Sequence, residues 1–175
     1  MAELVSSWPD KARFWHWSLA LYPQVKTICL QWQDHYGANV NLLLLLLFLK
    51  QQQRWLTPGQ ILTLQQQVSQ HNTLFTRPLR HLRRQLPAHL DPVAADALKQ
   101  SLLQAELCSE QLEQQLLITT LTGFQPSPEP RPVTQMLSVY LHLLQSPPTA
   151  PAEPIPPMLG QQMIDLDQAA SALLF

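Results

Sequence analysis

Asp34 is the only acidic residue between Asp10 and Asp91. It stands in a polar knot, Gln33-Asp34-His35 followed by Asn39 and Asn41, between a Trp-rich stretch and an unbroken apolar run from Leu42 to Leu49. A carboxylate next to an imidazole suggests acid–base chemistry, with Asp34 orienting His35 as a general base. The same group could hold a small polar ligand or a cation, with Trp15 and Trp17 close by in the sequence. Adjacent side chains on a helix point about 100° apart, so a direct Asp34–His35 dyad is poorly placed. In the structural alternative, Asp34 accepts backbone N–H groups at a helix start, or an indole N–H from Trp15 or Trp17, because a buried Trp normally finds a partner. The scaffold role is the expected one.

A second group is cationic. Arg77, Arg80, His81 and Arg84 share one helix face by their i, i+3, i+4, i+7 spacing, with Arg83 beside them. Such a face can grip the phosphates of RNA, a nucleotide or a lipid head group. No nucleic-acid motif accompanies it, and Phe75 is the only aromatic residue near it. The competing expectation is internal pairing with Glu106, Glu110 and Glu113 on the next helix, which should run back antiparallel. Cys29 and Cys108 belong to no CxxC pair or metal-ligand spacing and read as small core residues. Ser18 lacks a G-x-S-x-G setting. No pair of histidines has a convincing metal spacing. No catalytic residue, metal ligand or cofactor is therefore assigned.

The elements that must position these groups are helical. Asp10 caps a first helix carrying Phe14, Trp17, Ser18 and Leu21, and Pro23 is expected to end it or open the next. Val25, Ile28, Cys29 and Trp32 mark a second helix, and Gly37 a stop. Asn39 or Asn41 caps a third helix over residues 40–50. It is apolar all round and belongs at the centre of the fold. Thr57-Pro58-Gly59-Gln60 is a helix start, followed by Ile61, Leu64 and Val68. Leu74, Leu79, Leu82 and Leu86 extend the apolar spacing past a kink at Pro78, and Pro87 breaks it. Asp91-Pro92 opens a long helix to about Leu121, with Ala94, Leu98, Leu102, Ala105, Leu112, Leu116 and Leu117 as its stripe and a slip near Glu106. Residues 125–132 form an extended connector, and residues 133–145 another amphipathic helix.

These elements predict an all-α, single-domain bundle of about six helices over residues 10–145. A Pro-rich linker (146–157) then leads to a C-terminal amphipathic helix (158–175), whose face includes Met158, Leu159, Met163, Leu166, Leu173 and Phe175. Few charged residues (13%), four Gly and few β-branched residues argue against a sheet protein. The net charge of −1 hides a division. Lys11 to Leu90 holds nine basic residues and one acid, whereas Asp91 to Phe175 holds nine acids and two basic residues. The halves can complement each other within one fold or steer different partners. The opening MAELVSSWPD has no signal-peptide pattern, and the apolar run is far short of the ~20 residues that span a bilayer. A soluble, cytoplasmic protein with reduced thiols is expected.

Three segments carry a family resemblance. They are Phe14-Trp15-His16-Trp17-Ser18-Leu19-Ala20-Leu21-Tyr22, then Cys29 to Leu44 (CLQWQDHYGANVNLLL), then Pro78-Leu79-Arg80-His81-Leu82-Arg83-Arg84. They resemble the signature of an uncharacterised bacterial family of small helical proteins across roughly residues 12–145. The resemblance implies no function. It implies an acid at position 39, where this chain has Asn39; a capping role survives that change, because Asn caps as well as Asp. The leading expectation is a non-enzymatic binding or adaptor protein with a protein partner. The alternatives are small-molecule or anion binding, with or without catalysis, around Asp34, Trp17 and Asn41, and RNA or ribosome-associated binding through the Arg77–Arg84 face.

Overall fold

The computed structural model describes residues 8–86, 90–125, 130, 132–145 and 154–173. Pro87, most of the 125–132 connector, residues 146–153 of the Pro-rich segment and Phe175 lie outside the described residues. Among the described residues the chain is all-α: α1 (Lys11–Tyr36), α2 (Val40–Gln51), α3 (Pro58–His71), α4 (Arg77–Arg84), α5 (Pro92–Leu121), α6 (Val133–Gln145) and α7 (Pro157–Ala172). A π-helical turn, Asn72–Thr76, joins α3 to α4. No helix among the described residues is long and apolar enough to cross a membrane.

α1 corrects the expected break at Pro23. The helix runs straight through that residue. Its buried positions, Phe14, Trp17, Ser18, Leu21, Val25, Cys29 and Trp32, keep helical spacing on both sides of the proline. Pro23 and Leu19 lie on the exposed face. The backbone bond that Pro23 removes therefore opens toward water, where it costs least. Asp10 caps α1 by accepting from the Arg13 N–H at 3.0 Å. Gly37 ends it in the left-handed region at φ 71°, which glycine adopts without strain.

α2 is the centre. Every side chain from Asn41 to Leu49 is buried, and the helix packs against α1, α5, α6 and α7. Each buried leucine contributes roughly 1.5–3 kcal/mol relative to exposure. Phe48 lies between Phe14 and Trp17, with ring centroids 5.2 and 4.9 Å away. α7 closes the same core with Leu159, Met163, Leu166 and Ala170. It is pinned by Trp32 Nε1 donating to Gln162 Oε1 at 2.7 Å and by the Lys50–Asp167 ion pair at 2.8 Å. Thr57 opens α3 with the expected capping box, and Asp91 caps α5.

Candidate functional site

The π-helical turn decides what the second half of the bundle shows its interior. In a regular helix the α3 stripe of Ile61, Leu64 and Val68 would continue to Phe75, Leu79 and Leu82. A π turn holds one extra residue, which sets every later side chain back by about 100°. The inward positions become Thr76, Arg80 and Arg83 instead. Thr76 is fully buried, and the Arg80 side chain is 14% exposed. Leu74, Phe75 and Leu82 are more than half exposed, which corrects the expected apolar stripe. Pro78 supplies the physical reason. It has no N–H for the Leu74 carbonyl, and its ring would clash with that carbonyl in a regular helix.

α5 meets this polar face with one of its own. Its buried residues are Glu106, Ser109, Glu113, Gln114, Leu117, Ile118 and Leu121. The expected stripe is displaced here too: Leu98 and Leu112 are exposed, and the N-terminal half of α5 buries nothing before Glu106. The slip near Glu106 is where the true inward face begins.

Two networks result. In the first, Arg80 Nε donates to Glu106 Oε1 at 2.8 Å, Nη2 to Glu110 Oε1 at 2.7 Å and Nη1 to Gln33 Oε1 at 2.6 Å, while Arg83 Nε donates to Glu106 Oε2 at 2.6 Å. Burial pushes the Glu106 carboxyl up, but hydrogen bonds from Arg83 and Arg80 outweigh it and hold the group below the usual carboxylate range. In the second, Glu113 is fully buried. It makes no ion pair among the described residues; its Oε2 accepts from Asn39 Nδ2 at 2.8 Å and Asn41 Nδ2 at 3.0 Å. Its Oε1 accepts from Asn72 Nδ2 at 2.9 Å and Thr76 Oγ1 at 2.5 Å. Asn41 Oδ1 accepts from Gln114 Nε2 at 2.9 Å. Asn39 is the N-cap of α2, with Oδ1 accepting from the Leu42 N–H. Its own N–H donates to Tyr140 Oη at 2.7 Å, and Tyr140 donates onward to Gln65 Oε1 at 2.8 Å. Burial pushes the Tyr140 phenol well up, so it stays neutral and can do both.

Above these networks lies an open cleft of about 820 Å³. Its walls come from the end of α1 and the α1–α2 loop (Gln33, Asp34, Gly37, Ala38, Asn39), from α3 (Gln65, Ser69), and from the π turn and α4. Arg77, Arg80, His81 and Arg84 form the last wall. The two groups singled out in the sequence thus face one space. Asp34 is half exposed and 4.0 Å from Arg84, a surface separation that contributes little energy. Its Oδ1 takes the Gln33 amide at 3.3 Å rather than any indole. His35 contacts the Gln31 carbonyl through Nδ1, not Asp34. Asn41 lies beneath the cleft on Glu113. Trp17 is buried against Phe48, and its Nε1 has no partner among the described residues. Trp15 is half-buried on α1, outside the cleft lining.

The arginine face is divided. Arg80 and Arg83 are engaged by Glu106 and Glu110, as internal pairing requires, whereas Arg77 makes no ion pair among the described residues and Arg84 makes only the long contact to Asp34. The expected pairing of the arginine face with Glu113 is corrected: among the described residues its carboxylate is bound by amides and a hydroxyl instead, and sequence reasoning missed Asn72, Thr76, Ser109, Gln65 and Tyr140 as members of the network. The 3–4 spacing of Glu106, Ser109, Glu113, Leu117 and Leu121 was the available signal. Burial pushes the Cys29 thiol up to about 12, which keeps it protonated and unreactive. Among the described residues no group of three or more His, Cys, Asp or Glu side chains could hold a metal ion.

The geometry offers anion recognition at a polar cleft backed by a fixed hydrogen-bond lattice. Comparisons with curated proteins and with solved structures give no match. Residues 13–117, which contain most of α1, all of α2 to α4, and Glu106 and Glu113, match the family described as protein of unknown function (DUF2390), and the chain belongs to that family.

Proposed function

We propose that the protein binds a small anionic ligand of the phosphate class in the cleft between the end of α1 and α4. The observation that carries this reading is the division of the arginines. Arg80 is engaged by Glu106, Glu110 and Gln33, while Arg77 and Arg84 line the same space without a strong internal partner among the described residues. Guanidinium groups match phosphate geometry, and a hydrogen bond to a charged group contributes roughly 1.5–3 kcal/mol. Titration with inorganic phosphate at low salt should show saturable binding. The double variant Arg77→Ala, Arg84→Ala should lose it with an unchanged unfolding curve. No heat or spectral change up to high millimolar phosphate would end the reading.

A protein partner is the second reading, and a different surface favours it. The π turn and the α4–α5 hairpin leave Leu74, Phe75, Leu82, Val93 and Leu98 exposed, apolar side chains that a partner could cover. Charged substitutions at Leu82 and Leu98 should remove a copurifying protein while leaving phosphate binding intact. Nucleic-acid binding through the arginine face has less support, because Arg80 and Arg83 point inward to Glu106 and Glu110.

A further inference from the structure

We infer that the cleft takes a phosphorylated polyhydroxy compound, a sugar or polyol phosphate, rather than a bare anion; this rests on the anion-binding reading above. Glu113 sets the polarity of the cleft floor. A carboxylate accepts hydrogen bonds, so the amide NH2 of Asn72 must face it, as the 2.9 Å contact shows. The carbonyl Oδ1 of Asn72, a residue that lines the cleft, is then left without a partner among the described residues. Asn39 is oriented the same way, but its Oδ1 is already taken by the Leu42 N–H. On the facing wall Asp34 is a second acceptor, half exposed and held only by the 3.3 Å contact from Gln33 and the long contact to Arg84.

The cleft therefore combines two kinds of group. Arg77 and Arg84 lie on one face of α4, seven residues and roughly 10 Å apart along its axis. Facing them are two acceptors, the Asp34 carboxylate and Asn72 Oδ1, that oppose an inorganic anion and that a ligand's hydroxyl groups can satisfy. Gln33 and Gln65 add no free acceptor, because Arg80 and Tyr140 take their carbonyls, and their amides donate to Asp34 and Ser69. A phosphate alone would engage the arginines and leave Asp34 and Asn72 opposed to it. A phosphate carried on a hydroxylated chain would engage both sets. Asn72 and Asp34 are then specificity residues, and Glu113 a positioning residue acting through Asn72.

The test is calorimetric titration of the full chain at low salt with inorganic phosphate, ribose 5-phosphate and ribose. Ribose 5-phosphate should bind about tenfold or more tighter than inorganic phosphate, as expected for one or two added hydrogen bonds to charged or fixed acceptors, and ribose alone should not register. Asn72→Ala should narrow the gap between ribose 5-phosphate and inorganic phosphate several-fold. Asp34→Ala, an exposed change that keeps the fold, should narrow the same ratio while strengthening inorganic phosphate. Equal affinity of the wild-type chain for phosphate and ribose 5-phosphate would overturn this inference and leave the anion site standing. Absence of binding by both would overturn the anion reading itself.

Discussion

Glu106 and Glu113 lie two turns apart on one face of α5, and their burial is compensated in opposite ways. Glu106 is matched by two guanidinium groups, one of them from Arg80 in the cleft wall. Glu113 sits deeper and is matched by three amides and a hydroxyl, all neutral. A buried ion pair must overcome the desolvation of both partners. A buried carboxylate ringed by neutral donors desolvates one charge and relies on fixed dipoles. The first solution ties α4 to α5. The second ties α5 to the N-terminus of α2 and to the π turn, so it fixes backbone rather than pairing surfaces.

The largest effect should come from the deeper site. Glu113→Ala strands donors on Asn39, Asn41, Asn72 and Thr76 in a dry interior and should cost roughly 3–5 kcal/mol in denaturant unfolding. A loss below that of any Glu106 variant would reverse the ranking. Arg80→Ala should cost about 2–4 kcal/mol, less because Arg83 still reaches Glu106 and the site is nearer water. Glu106 adds a pH signature. Its folded carboxyl stays ionised below the usual range, so its contribution is present above the unfolded value and is lost as pH falls through the depressed one. Removing both Arg80 and Arg83 leaves only burial, which favours the protonated form, so this acid loss should vanish in unfolding curves recorded across pH 3–6.

Asn39→Asp sharpens the contrast in the opposite direction. It places a carboxylate against Glu113 where an amide now donates at 2.8 Å. The pair should share a proton, its folded affinity for that proton raised by like charge. Stability should then be retained at low pH and decline by about 1–3 kcal/mol as pH rises through the raised value. A pH-independent variant would mean that the two carboxylates move apart. The smallest effect belongs to the rim. Asp34→Asn should change stability by less than about 0.5 kcal/mol, since its contact to Arg84 is long and exposed. A larger loss would place Asp34 in the supporting lattice rather than on the ligand wall.

Periodicity made the scaffold legible. An eight-residue apolar run can only be a buried helix in a chain of this kind, and α2 is one. The caps at Asp10, Asn39, Thr57 and Asp91 were readable because capping is local chemistry. Pro23 was misleading because its cost depends on which face it occupies, and that is a tertiary property. The site was half legible. Asp34, Asn39 and the arginines stood out as rare polar residues against an apolar background, but nothing in their spacing brings two such distant segments to one cleft. Glu113 was read as a partner for arginine, and its place on the inward face was missed because a helix stripe is sought among leucines. Its neighbours on that stripe, Glu106 and Ser109, are polar as well.

The π-helical turn has a genetic consequence. The apolar ridge of Phe75, Leu79 and Leu82 and the polar ridge of Thr76, Arg80 and Arg83 are written into the same stretch, offset by a single position. Which ridge faces α5 is decided by one codon's worth of chain between Val68 and Thr76. Losing that codon would present leucines to Glu106 and Glu113 and turn the arginines to solvent without altering any of those residues.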